Sequence, residues 1–181
     1  MTGGFSNAYT SSSDTNYYFD VAPPHLEGAL DRFCQFFYSP LFNQDCTDRE
    51  INAVNSENDK NLKNDAWRFH QMNKETGDPK HPWCKFSTGN KATLADTPKE
   101  KGLDTRTALL EFHEKYYSSH IMGVAILSSQ PLDELEEMAR SRFSGVARKA
   151  DVPPPKGVAE HPHSDEQCRQ YIQVVPVREY R

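Results

Sequence analysis

Two different periodicities of apolar residues follow one another within residues 15–38, and they limit the chain to folds that contain both strands and helices. Residues 15–21 alternate apolar and polar side chains, which predicts a β-strand. Pro23 and Pro24 then interrupt the backbone, and residues 25–38 place apolar side chains three and four positions apart, which predicts a helix. This succession favours an α+β domain over an all-helical one.

The rest of the chain continues this mixed pattern. Residues 6–11 predict a strand beside the one at 15–21, and the apolar runs at 122–127 and 171–177 predict two more. Further helices are predicted over residues 47–73, 104–117 and 131–143, and residues 77–103 are loop-like. We therefore expect an α+β fold in which helices pack on a mostly antiparallel sheet.

A proline-rich stretch predicts how the chain divides into domains. Residues 151–170 contain three consecutive prolines and a glycine, which is typical of a linker. Residues 1–150 then form the first domain, and residues 171–181 open with the first strand of a second, truncated domain. The final strand at 171–177 has no predicted partner after it, which supports this division.

Composition excludes several classes of protein. No stretch of the 181 residues approaches 18 apolar residues, so no membrane span is predicted. A net charge of −5 gives no general signal for phosphate binding, and we expect no nucleic-acid partner. The N-terminus lacks the charged and apolar segments of a secretory signal. The four cysteines form no C-x-x-C pair, which favours free thiols and a cytoplasmic location.

Two glutamates share one face of the helix predicted at 47–73. The run from Thr47 to Glu50 matches a capping box and predicts that this helix begins there. Glu50 and Glu57 lie seven residues apart, so they point the same way with a rise of about 10 Å between them. They are too far apart to bind one zinc ion directly, because zinc–oxygen contacts are about 2 Å. Either one is a ligand and the other supports it or acts as a base, or both are solvated.

The segment Asn7-Ala8-Tyr9-Thr10 has two interpretations. A strand of small residues at the edge of a sheet leaves backbone groups open, and an extended peptide can pair with them. The alternative is an ordinary interior strand. Elsewhere the seven histidines form neither H-E-x-x-H nor H-x-x-E-H, and no nucleophile elbow, P-loop or dinucleotide-binding motif is present.

Taken together, several runs resemble the insulin-degrading enzyme group of the pitrilysin-like zinc metallopeptidases (inverzincins). The resemblance covers nearly the whole chain in order. The matching runs are Ser6-Asn7-Ala8-Tyr9-Thr10, Thr15-Asn16-Tyr17-Tyr18-Phe19-Asp20-Val21, His25 to Phe33, Asp48-Arg49-Glu50, Asn52-Ala53-Val54, Ser56-Glu57, Asn64-Asp65-Ala66-Trp67-Arg68, Gly89-Asn90-Lys91, Phe112-His113 and Tyr116-Tyr117-Ser118.

The resemblance implies a role for each of the singled-out residues. By motif position, Glu57 is a Zn²⁺ ligand and Glu50 is the carboxylate that orients a ligand histidine. Asn7, Ala8 and Tyr9 fall on the strand that binds the substrate backbone. The family hydrolyses peptides by metal-activated water, so peptide substrates and the remaining domains of a longer protein are the implied partners.

One departure from the family pattern changes the expected activity. The family's H-x-x-E-H motif, which carries two histidine ligands and the general-base glutamate, lies upstream of the Ser6-Asn7-Ala8 run and is absent from this sequence. We therefore expect a first peptidase domain that is incomplete at its N-terminus, within a fragment that is inactive alone. The alternative is a non-catalytic peptide- or partner-binding subunit of the same superfamily. An unrelated acidic α+β domain is a third interpretation.

Overall fold

The structure is a computed structural model that describes residues 3–11, 13–149 and 161–175. The mixed fold is confirmed, with helices and a small antiparallel sheet of two strands. These elements are β1 (Gly4–Thr10), β2 (Thr15–Val21), α1 (Leu26–Tyr38), α2 (Gln44–Asn61), α3 (Asp65–Glu75), α4 (Thr97–Glu100), α5 (Thr105–Tyr116) and α6 (Leu132–Phe143). Single 3₁₀ turns occur at Pro23–His25, Pro82–Cys84 and Ser119–Ile121, and a π-helical segment at Ala92–Asp96.

The chain forms two compact units. The first combines Met1–Leu41 with Leu109–Lys156, and the second combines Phe42–Ala108 with Gly157–Arg181. The first unit is therefore built from two segments that are separated in sequence. The predicted domains 1–150 and 171–181 with the linker 151–170 stay a prediction, because much of 150–181 lies outside the described residues.

The core of the first unit is the apolar stripe predicted for residues 25–38. The predicted helix is confirmed, and α1 buries Leu26, Leu30, Cys34 and Phe37, whereas Phe36 is exposed. Alternate side chains of β2 pack on this stripe, with ring centroids 5.6 Å apart for Tyr17–Phe37 and 4.9 Å for Phe19–Phe33. On its other side Phe37 contacts Phe143 of α6 at 5.9 Å. One aromatic side chain thus joins the hairpin, α1 and α6.

The predicted helix 47–73 is wrong in its start and its continuity. α2 begins at Gln44, and Thr47 lies inside it, where its hydroxyl donates to the Asn43 carbonyl at 3.2 Å. The predicted capping box is therefore not formed. The helix ends at Asn61 because Asn64 starts a new one, its side-chain oxygen accepting the Ala66 and Trp67 backbone N–H groups at 2.9 and 3.4 Å.

The predicted strand at 122–127 is also wrong. These residues form no regular element and pair with no strand in the described part of the chain, and Leu127 is 98% exposed. An apolar run indicates that its side chains tend to be buried, whereas a β-strand also requires a neighbouring strand to which its backbone can form hydrogen bonds. The strand predicted at 171–177 is not seen either: residues 171–175 pair with no strand among the described residues, and residues 176–177 lie outside them.

A buried polar cluster lies beside this core. The phenol oxygens of Tyr17 and Tyr117 are hydrogen-bonded, and burial, followed by this bond, raises the pKa of Tyr117. The His113 ring stacks on Tyr117 with centroids 4.3 Å apart, and its Nε2 donates to the Phe36 carbonyl at 3.1 Å. The Lys149 ammonium donates to the His113 carbonyl at 3.3 Å, so a cation lies close to this imidazole.

We expect this cluster to make the first unit less stable in mild acid. Burial lowers the pKa of His113 below its usual 6.5 and the Lys149 charge acts in the same direction, while the hydrogen bond to the Phe36 carbonyl and the Glu114 charge oppose the shift. The unfolded chain therefore takes up a proton near pH 6.5 that the folded one does not. The free energy of unfolding falls as the pH drops below about 6.5, by at most about 1.4 kcal/mol per pH unit for this one proton.

Urea unfolding between pH 7.5 and pH 5 measures this dependence. The His113→Gln variant keeps a donor for the Phe36 carbonyl but cannot be protonated, so its stability should fall less steeply with pH. An identical slope in the two proteins would show that His113 is not responsible.

Candidate functional site

The backbone of β1 presents hydrogen-bonding groups at an open edge. Strand β1 pairs with β2 in antiparallel register, and the Ser11 N–H donates to the Asp14 carbonyl at 2.8 Å where the hairpin closes. Hydrogen-bonded pairs alternate with non-bonded pairs along such a ladder. Counting back from Ser11, the backbone groups of Ser6, Ala8 and Thr10 point away from β2.

The surroundings of Ala8 agree with this assignment. Its backbone N–H donates to the side-chain oxygen of Asn7 at 2.8 Å, which an N–H directed at β2 would not do. In the described part of the chain, β1 has β2 as its one strand neighbour. The Asn7 side chain thus occupies a position that the carbonyl of an incoming strand would take.

The side chains of β1 that face away from α1 form an exposed aromatic row. Phe5 and Tyr9 are 58% and 52% exposed, and Asn7 lies between them. Across the strand pair, the Tyr18 ring lies 6.3 Å from that of Phe5, and the Asn16 amide donates to the Tyr9 hydroxyl at 3.3 Å. This row flanks the open edge of β1.

The two singled-out glutamates lie in the second unit. Glu50 and Glu57 are both exposed on α2, two turns apart on one face. Neither carboxylate makes a hydrogen bond or ion pair with the residues that the structure describes. Both oxygens of each are therefore available to a ligand.

The polar residues around Glu57 make a contact with residues 90–91 and contribute to the wall of a groove. Asn58 is buried, and Asn55 accepts the Lys91 backbone N–H at 2.9 Å, which ties residues 90–91 to α2. Asn61, one turn beyond Glu57, lines a groove of about 320 Å³. The groove is shared by the end of α2, α3 and two extended segments, and its apolar walls are Leu62, Trp67, Phe86 and Val174.

The sequence did not predict this groove. Its apolar members come from separate segments, and Val174 lies more than a hundred residues after Leu62, so no local periodicity connects them. The available signal was Trp67, an aromatic residue on a polar helix that is 45% exposed in the structure. It lies in edge-to-face contact with His70, whose ring centroid is 5.9 Å away.

The described residues alone do not fit a complete zinc site. Within residues 3–11, 13–149 and 161–175, no three His, Cys, Asp or Glu side chains lie close enough to hold a metal ion. A catalytic zinc ion takes three protein ligands and keeps one open position. Glu57 offers one such ligand, and Glu50 is too distant along α2 to be a second.

His163, which belongs to none of the catalytic motifs, packs against neighbours in the second unit. His163 packs edge-on against Trp83 with centroids 5.6 Å apart. The neighbouring Pro162 carbonyl accepts the Asp78 backbone N–H at 2.8 Å, next to Gly77. A Cβ at Gly77 would lie 2.9 Å from that carbonyl oxygen, so this close approach requires glycine. The segment that carries His161 and His163 is therefore seated at the end of α3.

Two family profiles match the chain. The profile described as Insulinase (Peptidase family M16) matches residues 1–80, and the one described as Peptidase M16 inactive domain matches residues 105–178. The chain belongs to peptidase family M16. The resemblance to the insulin-degrading enzyme group is thereby confirmed, and the family is one of zinc-dependent peptidases.

Individual M16 members agree with this assignment. The human insulin-degrading enzyme is 52% identical over 178 residues, which cover 98% of this chain and 17% of that protein. The A-factor-processing enzyme of Saccharomyces cerevisiae is 50% identical over 179 residues, covering 99% of this chain and 17% of its own length. The crystal structure of pitrilysin superimposes with a TM-score of 0.82 at 38% identity, over 92% of this chain and 17% of that one. The chain thus spans about a sixth of the length of these M16 relatives.

One further finding concerns membranes. Among the residues that the structure describes, no helix combines the length and apolar character needed to cross a bilayer.

Proposed function

We propose that this chain is part of a zinc metalloendopeptidase that hydrolyses peptides. The observation that supports this most strongly is the 52% identity to the human insulin-degrading enzyme across 98% of the chain. The exposed and uncommitted carboxylate of Glu57, one helical turn from an apolar groove, agrees with it.

Each singled-out residue has a role in this proposal. Glu57 supplies one carboxylate ligand to Zn²⁺. Glu50 orients a histidine ligand through a hydrogen bond, as supporting carboxylates do in zinc sites. The open edge of β1 at Asn7, Ala8 and Tyr9 holds the peptide in an extended conformation.

The 181 residues alone are proposed to be inactive. They contain no H-x-x-E-H motif, so two histidine ligands and the general-base glutamate have to come from elsewhere in a longer protein. A single exposed carboxylate binds zinc too weakly to retain it, because structural and catalytic sites use three or four ligands. The chain is then a fragment that works with the remaining domains.

The proposed domains and location follow the same interpretation. Residues 1–150 are the C-terminal part of the first peptidase domain, 151–170 a linker, and 171–181 the start of the next domain. Free cysteines at positions 34, 46, 84 and 168 are compatible with a reducing, cytoplasmic compartment. A relative from Arabidopsis thaliana is named as peroxisomal, so the peroxisome is the alternative location. That relative is 45% identical over 152 residues, which cover 84% of this chain and 16% of that protein.

A non-catalytic, peptide- or partner-binding subunit is the second candidate. The open edge of β1 favours it, because the outward-directed N–H of Ala8 lies where an extended peptide could pair without any metal ion. Under this alternative the edge binds peptides and no hydrolysis follows.

Metal content and peptidase activity decide between the two. We would compare the 181-residue chain with a version extended upstream through any H-x-x-E-H motif, and with a control in which that motif's glutamate is replaced by glutamine. We expect about one zinc ion per molecule and peptide cleavage in the extended protein alone. The control should bind zinc without cleavage. An absent upstream motif, or an extended protein that stays metal-free, would favour the non-catalytic subunit.

A further inference from the structure

We propose that Phe5 is a specificity-determining residue for peptides that pair with β1. It favours a large apolar or aromatic side chain four residues away from the peptide side chain that lies beside Tyr9. This inference rests on the proposed function, because it requires a peptide on the edge of β1. It adds a second position on that peptide and the chemistry that fits there.

The faces of β1 are fixed by the core of the first unit. Tyr17 and Phe19 of β2 pack on α1, so the β1 residues opposite them face the same way. Side chains alternate along a strand, and Phe5, Asn7 and Tyr9 therefore share the other, exposed face. The exposed fractions of Phe5 and Tyr9, 58% and 52%, agree with this geometry.

A strand added to the open edge would lie directly beside this row. Its backbone would pair with the outward groups of Ser6, Ala8 and Thr10, and its side chains on the exposed face would come within about 5 Å of their β1 neighbours. Phe5 and Tyr9 are about 13 Å apart along the strand. The two peptide residues that they contact are thus four positions apart, with the residue beside Asn7 midway.

The Phe5 ring has one aromatic neighbour on the exposed face. The Tyr18 ring lies at a centroid distance of 6.3 Å, and the Phe5 backbone N–H donates to the Asp20 carboxylate at 3.1 Å, which fixes the backbone at this position. An aromatic side chain has only two rotatable side-chain bonds, so it loses little conformational freedom on binding. Phe5 therefore contributes contact area at a small entropic cost.

Charge defines the kind of peptide that fits. The hairpin sequence 3–21 contains Asp14 and Asp20 and has neither lysine nor arginine. An acidic peptide would meet like charge along this edge, whereas a neutral or basic one would not. The peptide that fits this edge is extended, neutral or basic, and carries a large apolar residue beside Phe5.

A double-mutant cycle between protein and peptide tests the proposal. Binding to the full chain is measured with labelled peptides of serine, threonine and lysine that carry one phenylalanine. The affinity of each peptide is first compared between the wild-type protein and the Tyr9→Thr variant. A peptide whose phenylalanine contributes less to binding in the variant is one in which that phenylalanine lies beside Tyr9. A second phenylalanine is then placed four residues before or four residues after the first.

We expect one of these two placements to tighten binding about two- to tenfold, the range for an aromatic pair. Phe5→Thr, which removes the ring but introduces a residue that favours strands and retains the backbone N–H, should abolish that gain. Phe69→Leu is the matched control, since Phe69 is a similarly exposed aromatic residue of α3 at 54%. Circular dichroism checks that Phe5→Thr is folded.

The outcomes separate this inference from the proposed function. A gain that persists in Phe5→Thr, or no gain at either position, overturns the inference while coupling to Tyr9 still supports peptide pairing. Absence of peptide binding, or of coupling to Tyr9, overturns peptide pairing at β1 and the inference with it. Zinc content of the extended protein is a separate readout that neither result changes.

Discussion

Replacing Glu57 with glutamine should remove zinc from the extended protein and abolish its peptidase activity, whereas Glu50→Gln should weaken zinc binding by about 10- to 100-fold. Both side chains are exposed on one face of α2, so the two substitutions remove the same charge from the same helix face. An amide oxygen is a much poorer zinc ligand than a carboxylate, but an amide can still accept a hydrogen bond from a histidine.

Zinc titration with a chelator and initial rates on a fluorogenic peptide measure the two effects. Glu111→Gln, an exposed glutamate of α5 in the other unit, is the control for a lost surface charge. Equal effects of the Glu50 and Glu57 substitutions, or a larger one at Glu50, would contradict the proposed assignment. An unchanged zinc content in Glu57→Gln would contradict it as well.

Phe37→Ala should lower the free energy of unfolding of the first unit by about 3–5 kcal/mol, the usual cost of deleting a buried phenyl ring. Phe37 is 9% exposed and contacts rings from β2, α1 and α6. Its removal leaves a cavity at the point where these three elements meet. Because small domains are stable by only about 5–15 kcal/mol, much of the unit's stability would be lost.

The neighbouring residue is a matched control. Phe36 is 56% exposed, and the hydrogen bond that it accepts from His113 uses its backbone carbonyl, which alanine retains. Phe36→Ala should therefore cost much less than Phe37→Ala in urea unfolding at pH 7.5. Similar losses for the two variants would show that the core is not centred on Phe37.

Local signals explain which elements the sequence predicted well. Helix α1 was predicted to within one residue, because Pro24 and Pro40 bracket a clear apolar stripe. The break between α2 and α3 was missed, because a single capping asparagine, Asn64, lies in a run of polar residues where caps are not distinctive. Pairing of residues 122–127 depends on a neighbouring strand, which an apolar run cannot reveal.

The candidate site shows the same limit. Helical spacing alone placed Glu50 and Glu57 on one face, and the structure agrees. The groove beside Asn61 was not predictable, because its walls come from α2, α3 and residues 86–88 and 174. The outward direction of the Ala8 N–H also required the observed hairpin register, since a shift by one residue would turn it towards β2.

The first unit is built from two segments that are far apart in the sequence, and this affects how it forms during synthesis on the ribosome. Strands β1 and β2 and helix α1 are translated before α6 and before Tyr117, the partner of Tyr17, because residues 42–108 come between them. At about 5–20 residues per second, the nascent hairpin waits several seconds for them. During that interval the Phe37 side chain lacks the cover that Phe143 provides, so a chaperone that binds exposed apolar side chains would have a defined interval in which to bind this chain.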